Sequence, residues 1–409
     1  AYHVVVAENV DSTAVLDGFV IRQGLADGST DEMRQGGGMY IRFGKPNLKH
    51  VTISNNSANS SGGGMYNSGN VTMTDVTISD NSALKGGGVY NSGILTMTDM
   101  TISNNSATSD GGGVYNSGIL TMTDMTISNN SGGSGGGVYN SGISTRMTMT
   151  NVIISNNSAN SSGGGMYNSG NVTMTDVTIS NNSASILSGG GVYNSGNVTM
   201  TDVTISNNSA NGDGGGMFSF SGNVTMTDVT ISDNSALMGG GVFNYSNSMT
   251  MINVIVSNNL ANISGGGLYN YSSDNTKLVN VLFFQNRTIS SGGGIYNRDG
   301  SPLDWRNVYI VANEATVGGG YYSEGLSYPT FKNSLFAGNV GGDCRGTIDP
   351  GSSHNLIQDP SNTCGLQDGQ NGNIVGQDAR LVVTDDSTGI YWLIADSPAL
   401  DAGDDSVCP

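Results

Sequence analysis

Between Gly62 and Lys85, apolar and polar residues alternate in short runs: Met65-Tyr66-Asn67, then Val71-Thr72-Met73-Thr74, then Val76-Thr77-Ile78-Ser79. Alternation at period two predicts half-buried strands. Met65, Val71, Met73, Val76 and Ile78 are expected to face inward, with Ser68-Gly69-Asn70 as a turn, Asp75 as a bend, and Asp80-Asn81-Ser82-Ala83 turning the chain back. The next rung repeats the pattern with Val89, Leu95, Met97, Met100 and Ile102. No segment of the array has a helical period. So many inward methionines suit a narrow core, because an unbranched thioether packs around differing neighbours.

The pattern is periodic. A glycine triplet followed by an apolar residue and an aromatic begins at Gly36, Gly62, Gly86, Gly111, Gly135, Gly163, Gly189, Gly214, Gly239, Gly265, Gly292 and Gly318, at spacings of 24 to 28 residues. A period in this range marks a solenoid. Three short strands in a rung of about 25 residues predict an all-β chain, a parallel β-helix of triangular section. Residues 1–35 read as irregular N-terminal rungs, 36–340 as the repeat array, and 341–409 as degenerate rungs and a cap. Ala58–Ser79 recurs unchanged at Ala159–Ser180, 101 residues or four rungs later. Such duplication adds length without building a unique pocket.

Composition narrows the partners. Net charge is −18, with 32 acidic and 14 basic residues and no basic stripe, which argues against nucleic acid. No apolar run approaches the length of a membrane span. Ala1 reads as a processed or trimmed start. Cys344 and Cys364 are the candidate disulfide, closing a loop of about twenty residues in an oxidising compartment. Cys408 is left over, unpaired or intermolecular. The histidines His3, His50 and His354 are scattered and fit no zinc spacing.

The GGG-(Met/Val/Ile)-(Tyr/Phe)-Asn unit resembles the repeat of polymorphic outer-membrane proteins and related pectin-lyase-like right-handed β-helices. A companion FxxN element stands at Phe283–Asn286 and Phe336–Asn339, relaxed to Ile-Ser-Asn-Asn at Ile53–Asn56. The tail Ser397–Asp404, SPALDAGD, is similar to the C-terminal region of large bacterial surface proteins. The resemblance implies a right-handed helix and an extracellular or cell-surface location. In those surface proteins a further cysteine-containing segment follows, which would supply a partner for Cys408.

Stacked rungs turn each repeat position into a column. The aromatic column Tyr66, Tyr90, Tyr115, Tyr139, Tyr167 and Tyr193 is a candidate sugar-binding or lateral-packing stripe, its alternative being a self-stacking structural ladder. The pairs Thr72/Thr74, Thr96/Thr98, Thr121/Thr123, Thr148/Thr150, Thr173/Thr175, Thr199/Thr201 and Thr225/Thr227 form a TxT array that resembles the ice-binding face of some antifreeze proteins. Asp75, Asp99, Asp124, Asp176, Asp202 and Asp228, with Asn151 among them and Asn253 and Asn280 after them, are candidate calcium ligands or bend residues that accept backbone N–H bonds. Asn67, Asn91, Asn116, Asn140, Asn168 and Asn194, with Asn56, Asn105 and Asn130, read as amides bonded from rung to rung. Asp304, Arg306 and Glu314 are the one charged cluster to weigh as catalytic, and a solvated rung surface is its plain alternative. No catalytic residue is assigned. The expectation is a structural or adhesive surface solenoid whose partners are further copies of itself, through end-to-end or lateral assembly, or surface polysaccharide. Polysaccharide binding or cleavage and ice binding are the rival functions.

Overall fold

The computed structural model describes residues 2–246, 248–271, 275–298, 304–325, 328–385 and 390–407. They form two compact units, Ala1–Gly212 and Asp213–Pro409. The fold is an all-β parallel solenoid with about 26 residues per turn and three sheets.

In the first unit each rung gives a short strand to the first sheet: Met65–Ser68 pairs in parallel with Val89–Asn91, placing Met65 beside Val89 and Tyr66 beside Tyr90. The second sheet takes Asn70–Thr74 and Thr77–Ser79, and both pair with the single ten-residue strand Ile94–Ser103 of the next rung. The third sheet is built from Ser82–Lys85 and its equivalents Ser57–Ser61 and Ser106–Ala107. Three strands per rung is the expected number, but their division differs. The two longer runs share one sheet: Asp75, at φ 54, bends the chain between its two strands, and Asp99, at the same φ, bends Ile94–Ser103 without ending it. The third strand is the Ser-Ala pair, read from sequence as a turn and too short to show an alternation.

Residues 2–35 are a rung of the same kind. Val5–Glu8 joins the first sheet, Val15–Asp17 and Val20–Arg22 the second, and Leu25–Ala26 the third. The inward residues are as the alternation predicts: Met65, Val71, Met73, Val76 and Ile78 are all buried, as are Val89, Leu95, Met97, Met100 and Ile102. At about 1.5–3 kcal/mol per buried aliphatic side chain, these columns are the main source of stability.

The glycine triplet closes the corner between the third and first sheets. Gly62 takes φ +68, and its neighbours are fixed by close approach instead: a Cβ on Gly63 would stand 2.3 Å from the Ser82 carbonyl oxygen, and one on Gly64 2.6 Å from that of Gly88. Backbone bonds then link triplet to triplet, Gly63 N–H to Gly86 O at 3.2 Å and Gly64 N–H to Gly87 O at 3.1 Å. Any side chain would push the rungs apart.

The second unit repeats this plan with a changing core. The inward column of its second sheet runs Met226, Met251, Leu278, Trp305, Phe331. Trp305, Tyr321 and Phe331 meet edge to face at 5.0–6.1 Å. The last strands change character, Leu381–Asp385 pairing antiparallel with Ile390–Leu393.

Candidate functional site

The aromatic column is a continuous stack in the first unit. Tyr40, Tyr66, Tyr90, Tyr115, Tyr139, Tyr167 and Tyr193 lie ring on ring at 4.6–5.5 Å, within 11° of parallel, and His3 covers Tyr40 at 5.0 Å. Each internal ring therefore has both faces covered by its neighbours. A sugar needs an open ring face to stack on, so this column favours the self-stacking reading. Burial pushes the hydroxyls of Tyr90, Tyr139, Tyr167 and Tyr193 above the ordinary tyrosine range.

The second unit continues the motif with Phe218, Phe243, Tyr269, Tyr296 and Tyr322. Beside it stands a second column absent from the expected set. Phe220, Tyr245 and Tyr271 stack at 5.7 and 4.9 Å, and the Arg298 guanidinium lies 5.1 Å from the Tyr271 ring centre. In the first unit the same position is Arg42 in the rung of Tyr40 and then serine, at Ser68, Ser92, Ser117, Ser141, Ser169 and Ser195. The signal was in the sequence, as aromatics two residues apart at Phe218/Phe220, Phe243/Tyr245 and Tyr269/Tyr271.

The threonine pairs face outward from the second sheet and stand in register, Thr72 beside Thr96 and Thr121, Thr74 beside Thr98 and Thr123. The columns continue through Thr148/Thr150, Thr173/Thr175 and Thr199/Thr201. Between adjacent rungs the spacing is about 4.8 Å. The result is a regular field of hydroxyls and methyls.

The acidic column borders this field. Asp75, Asp99, Asp124, Asp176, Asp202 and Asp228 are exposed and take φ of 54–55, as do Asn151, Asn253 and Asn280 within two degrees. Asp and Asn tolerate that left-handed bend better than other side chains, which explains their interchange. Asn151 donates to Asp124 at 2.5 Å and Asn253 to Asp228 at 3.0 Å. Among the described residues no three His, Cys, Asp or Glu side chains converge as a metal cage.

The amides form two buried ladders. Asn67, Asn91, Asn116, Asn140, Asn168 and Asn194 are linked Nδ2 to Oδ1 at 2.8 Å. In the second ladder each Oδ1 accepts twice from the preceding rung: Asn105 gives both its backbone N–H (2.9 Å) and its Nδ2 (3.0 Å) to Asn130. Asn56 and Asn81 do the same. In the second unit this ladder ends at Asn339, whose N–H and Nδ2 go to Asp343 Oδ1 at 3.2 and 2.8 Å, while Asp343 Oδ2 accepts the Asp359 N–H at 2.8 Å. A carboxylate has no donor to pass on, so Asp343 terminates a chain of directional bonds. Burial raises its pKa although three N–H groups favour the charged form. The adjacent Cys344 is bonded to Cys364, as expected, and Cys408 lies outside the described residues.

The charged cluster does not assemble from what is described. Glu314 lies in the third-sheet column, ion-paired with Arg287 at 3.4 Å. Arg306 is on the second sheet beside Lys332, and the Asp304 side chain lies outside the described residues. Among the described residues no helix is long and apolar enough to cross a membrane, which leaves strands aside.

Two family models match. The right handed beta helix region covers residues 113–283, and the Chlamydia polymorphic membrane protein repeat matches at 99–117 and 280–298. No curated protein matches the chain. The second pair of matches falls on a Val-Tyr-Asn strand and on an FxxN-to-GGG-Ile-Tyr-Asn stretch, the elements whose geometry is described above. The chain is a right-handed parallel β-solenoid, similar over residues 113–283 to the right handed beta helix region and at 99–117 and 280–298 to the polymorphic membrane protein repeat.

Proposed function

We propose that the chain is a non-enzymatic, cell-surface structural element that adheres through repeated weak contacts on its threonine face. The observation that carries this reading is the register of the outward threonines, which offers the same hydroxyl and methyl groups rung after rung. A contact worth little on one rung gains strength when several engage together, because each later contact is intramolecular. Its partners are extended hydroxyl-rich polymers at a cell surface or the same face of another copy. The acidic net charge keeps separate copies soluble until such contacts form.

The test is binding of the purified chain to immobilised polysaccharides and to itself, compared with the variant Thr121→Glu/Thr148→Glu/Thr173→Glu. Circular dichroism confirms that the variant keeps its strands. At least a tenfold loss of binding is expected. Unchanged binding would overturn the assignment, and thermal hysteresis lost in the same variant would reassign the face to ice.

A further inference from the structure

Near the end of the second unit, the outward face of the second sheet is covered by the chain itself. Residues 397–404 run across it as a strap. Asn333 holds the strap by both ends of its amide: Asp404 N–H donates to Asn333 Oδ1 at 2.9 Å, and Asn333 Nδ2 donates to the Asp404 carbonyl at 3.0 Å. A neighbouring strand would offer the same donor and acceptor. Ala399 packs on the buried cluster of Val311, Leu335, Ala337, Leu356 and Ala379, and Ser397 Oγ donates to the Ala379 carbonyl at 2.7 Å. A cavity of about 210 Å³ lies between strap and sheet, lined by Asn307, Tyr309, Leu335, His354, Leu356 and Ile374 with Ala399, Ala402 and Gly403 above.

Asn333 belongs to the left-handed column of Asp75, with φ 49. Elsewhere in the second unit an asparagine of this column donates to the rung before it: Asn253 to Asp228, Asn280 to Asn253, Asn307 to Asn280, at 2.9–3.1 Å. Asn333 departs from that rule and gives its donor to the strap. The link from the strap back to the antiparallel pair, Ile394, Ala395 and Asp396, is exposed.

We propose that this face is a docking groove for the strap, filled within one molecule as seen here or by the strap of a second copy. The exchanged contact reproduces the internal one bond for bond, which is why swapping a segment between identical chains costs little. Dilute chains keep the strap internal, because its own groove sees it at a high effective concentration. Chains crowded on a surface raise the competing concentration, and at this point the proposal rests on the surface reading.

A cysteine trap tests it, in a Cys408→Ser background. A Cβ on Gly403 would stand 3.6 Å from Asn333 Cγ, close enough to place a disulfide. A cysteine is also accommodated at positive φ in this chain, at Cys364. Dilute Asn333→Cys/Gly403→Cys, oxidised with diamide, is expected to close internally as a monomer. An equimolar mixture of the two single variants at high concentration is expected to give a disulfide-linked heterodimer whose yield rises with concentration. Failure of the double variant to close would overturn the groove geometry. Closure without any heterodimer would overturn the exchange, as would equal heterodimer from Thr173→Cys mixed with Gly403→Cys. The threonine-face variant is read separately by polysaccharide binding, so the two proposals fail by different results.

Discussion

The first unit is built from nearly identical rungs, whereas the second changes from rung to rung while keeping the same backbone bonds. One inward column of the first unit reads Met73, Met97, Met122, Met149, Met174, Met200, each beside the last. Its counterpart in the second ends in Trp305 and Phe331. Outside, the serine that follows each Tyr-Asn in the first unit gives way to Phe220, Tyr245, Tyr271 and Arg298. The glycine corner and the asparagine ladder are common to both, so they are what the solenoid requires. The columns that vary are free to take on local work. The second unit holds an edge-to-face aromatic cluster, a ladder ended by Asp343, a disulfide and a strap.

The comparison breaks most visibly if aromatic and methionine cores prove energetically alike. Trp305→Ala is expected to cost about 3–5 kcal/mol, seen as a fall in the urea midpoint. Hydrogen exchange should localise the loss to the second unit, because stability in a solenoid spreads mainly through nearest neighbours. Loss spread evenly over both units would contradict this division.

A smaller effect concerns the shared ladder. Asn130→Ala leaves the backbone N–H of Asn105 without its acceptor, at about 1–3 kcal/mol, while Asn105 Nδ2 keeps the Ile78 and Ser103 carbonyls. Asp343→Asn is expected to cost about 1–3 kcal/mol by setting an amide donor against the Asp359 N–H. Equal stability of Asp343→Asn and the parent in urea would show that the ladder needs no second acceptor oxygen at its end.

The tyrosine stack gives a pH signature. Tyr90, Tyr139, Tyr167 and Tyr193 have folded pKa values raised above the unfolded value near 10. Their contribution to stability is therefore complete below pH 10 and is lost as pH rises through the folded values. Tyrosinate absorbance from the stack should appear together with loss of the strand signal, and a stack that ionised at pH 10 in folded protein would contradict its burial. The smallest expected effect is that of calcium. The aspartate column is explained by its left-handed bend, so a chelator should leave the melting temperature unchanged, and a fall would restore calcium as a ligand.

Sequence alone revealed much of this, for identifiable reasons. Period-two alternation was enough to turn Met65 inward and Tyr66 outward, and repetition exposed the asparagine ladders. The third sheet escaped notice because Ser82-Ala83 is too short to alternate. Phe220, Tyr245 and Tyr271 were visible but broke a pattern read from the serine rungs. The bond between Asn333 and Asp404 joins residues 71 apart and follows no repeat, so only folding reveals it.

On the proposed function, the first unit acts by repetition. Its internal duplication supplies the measurement: deleting residues 58–158 joins Ser57 to Ala159 and restores the original sequence across the joint, four rungs shorter. Binding to an immobilised polysaccharide should weaken in a graded way, by faster dissociation, with strand content per residue unchanged. Binding abolished outright in a folded variant would reveal one privileged rung, and binding unchanged would place the contact outside the repeats; either result would contradict the account.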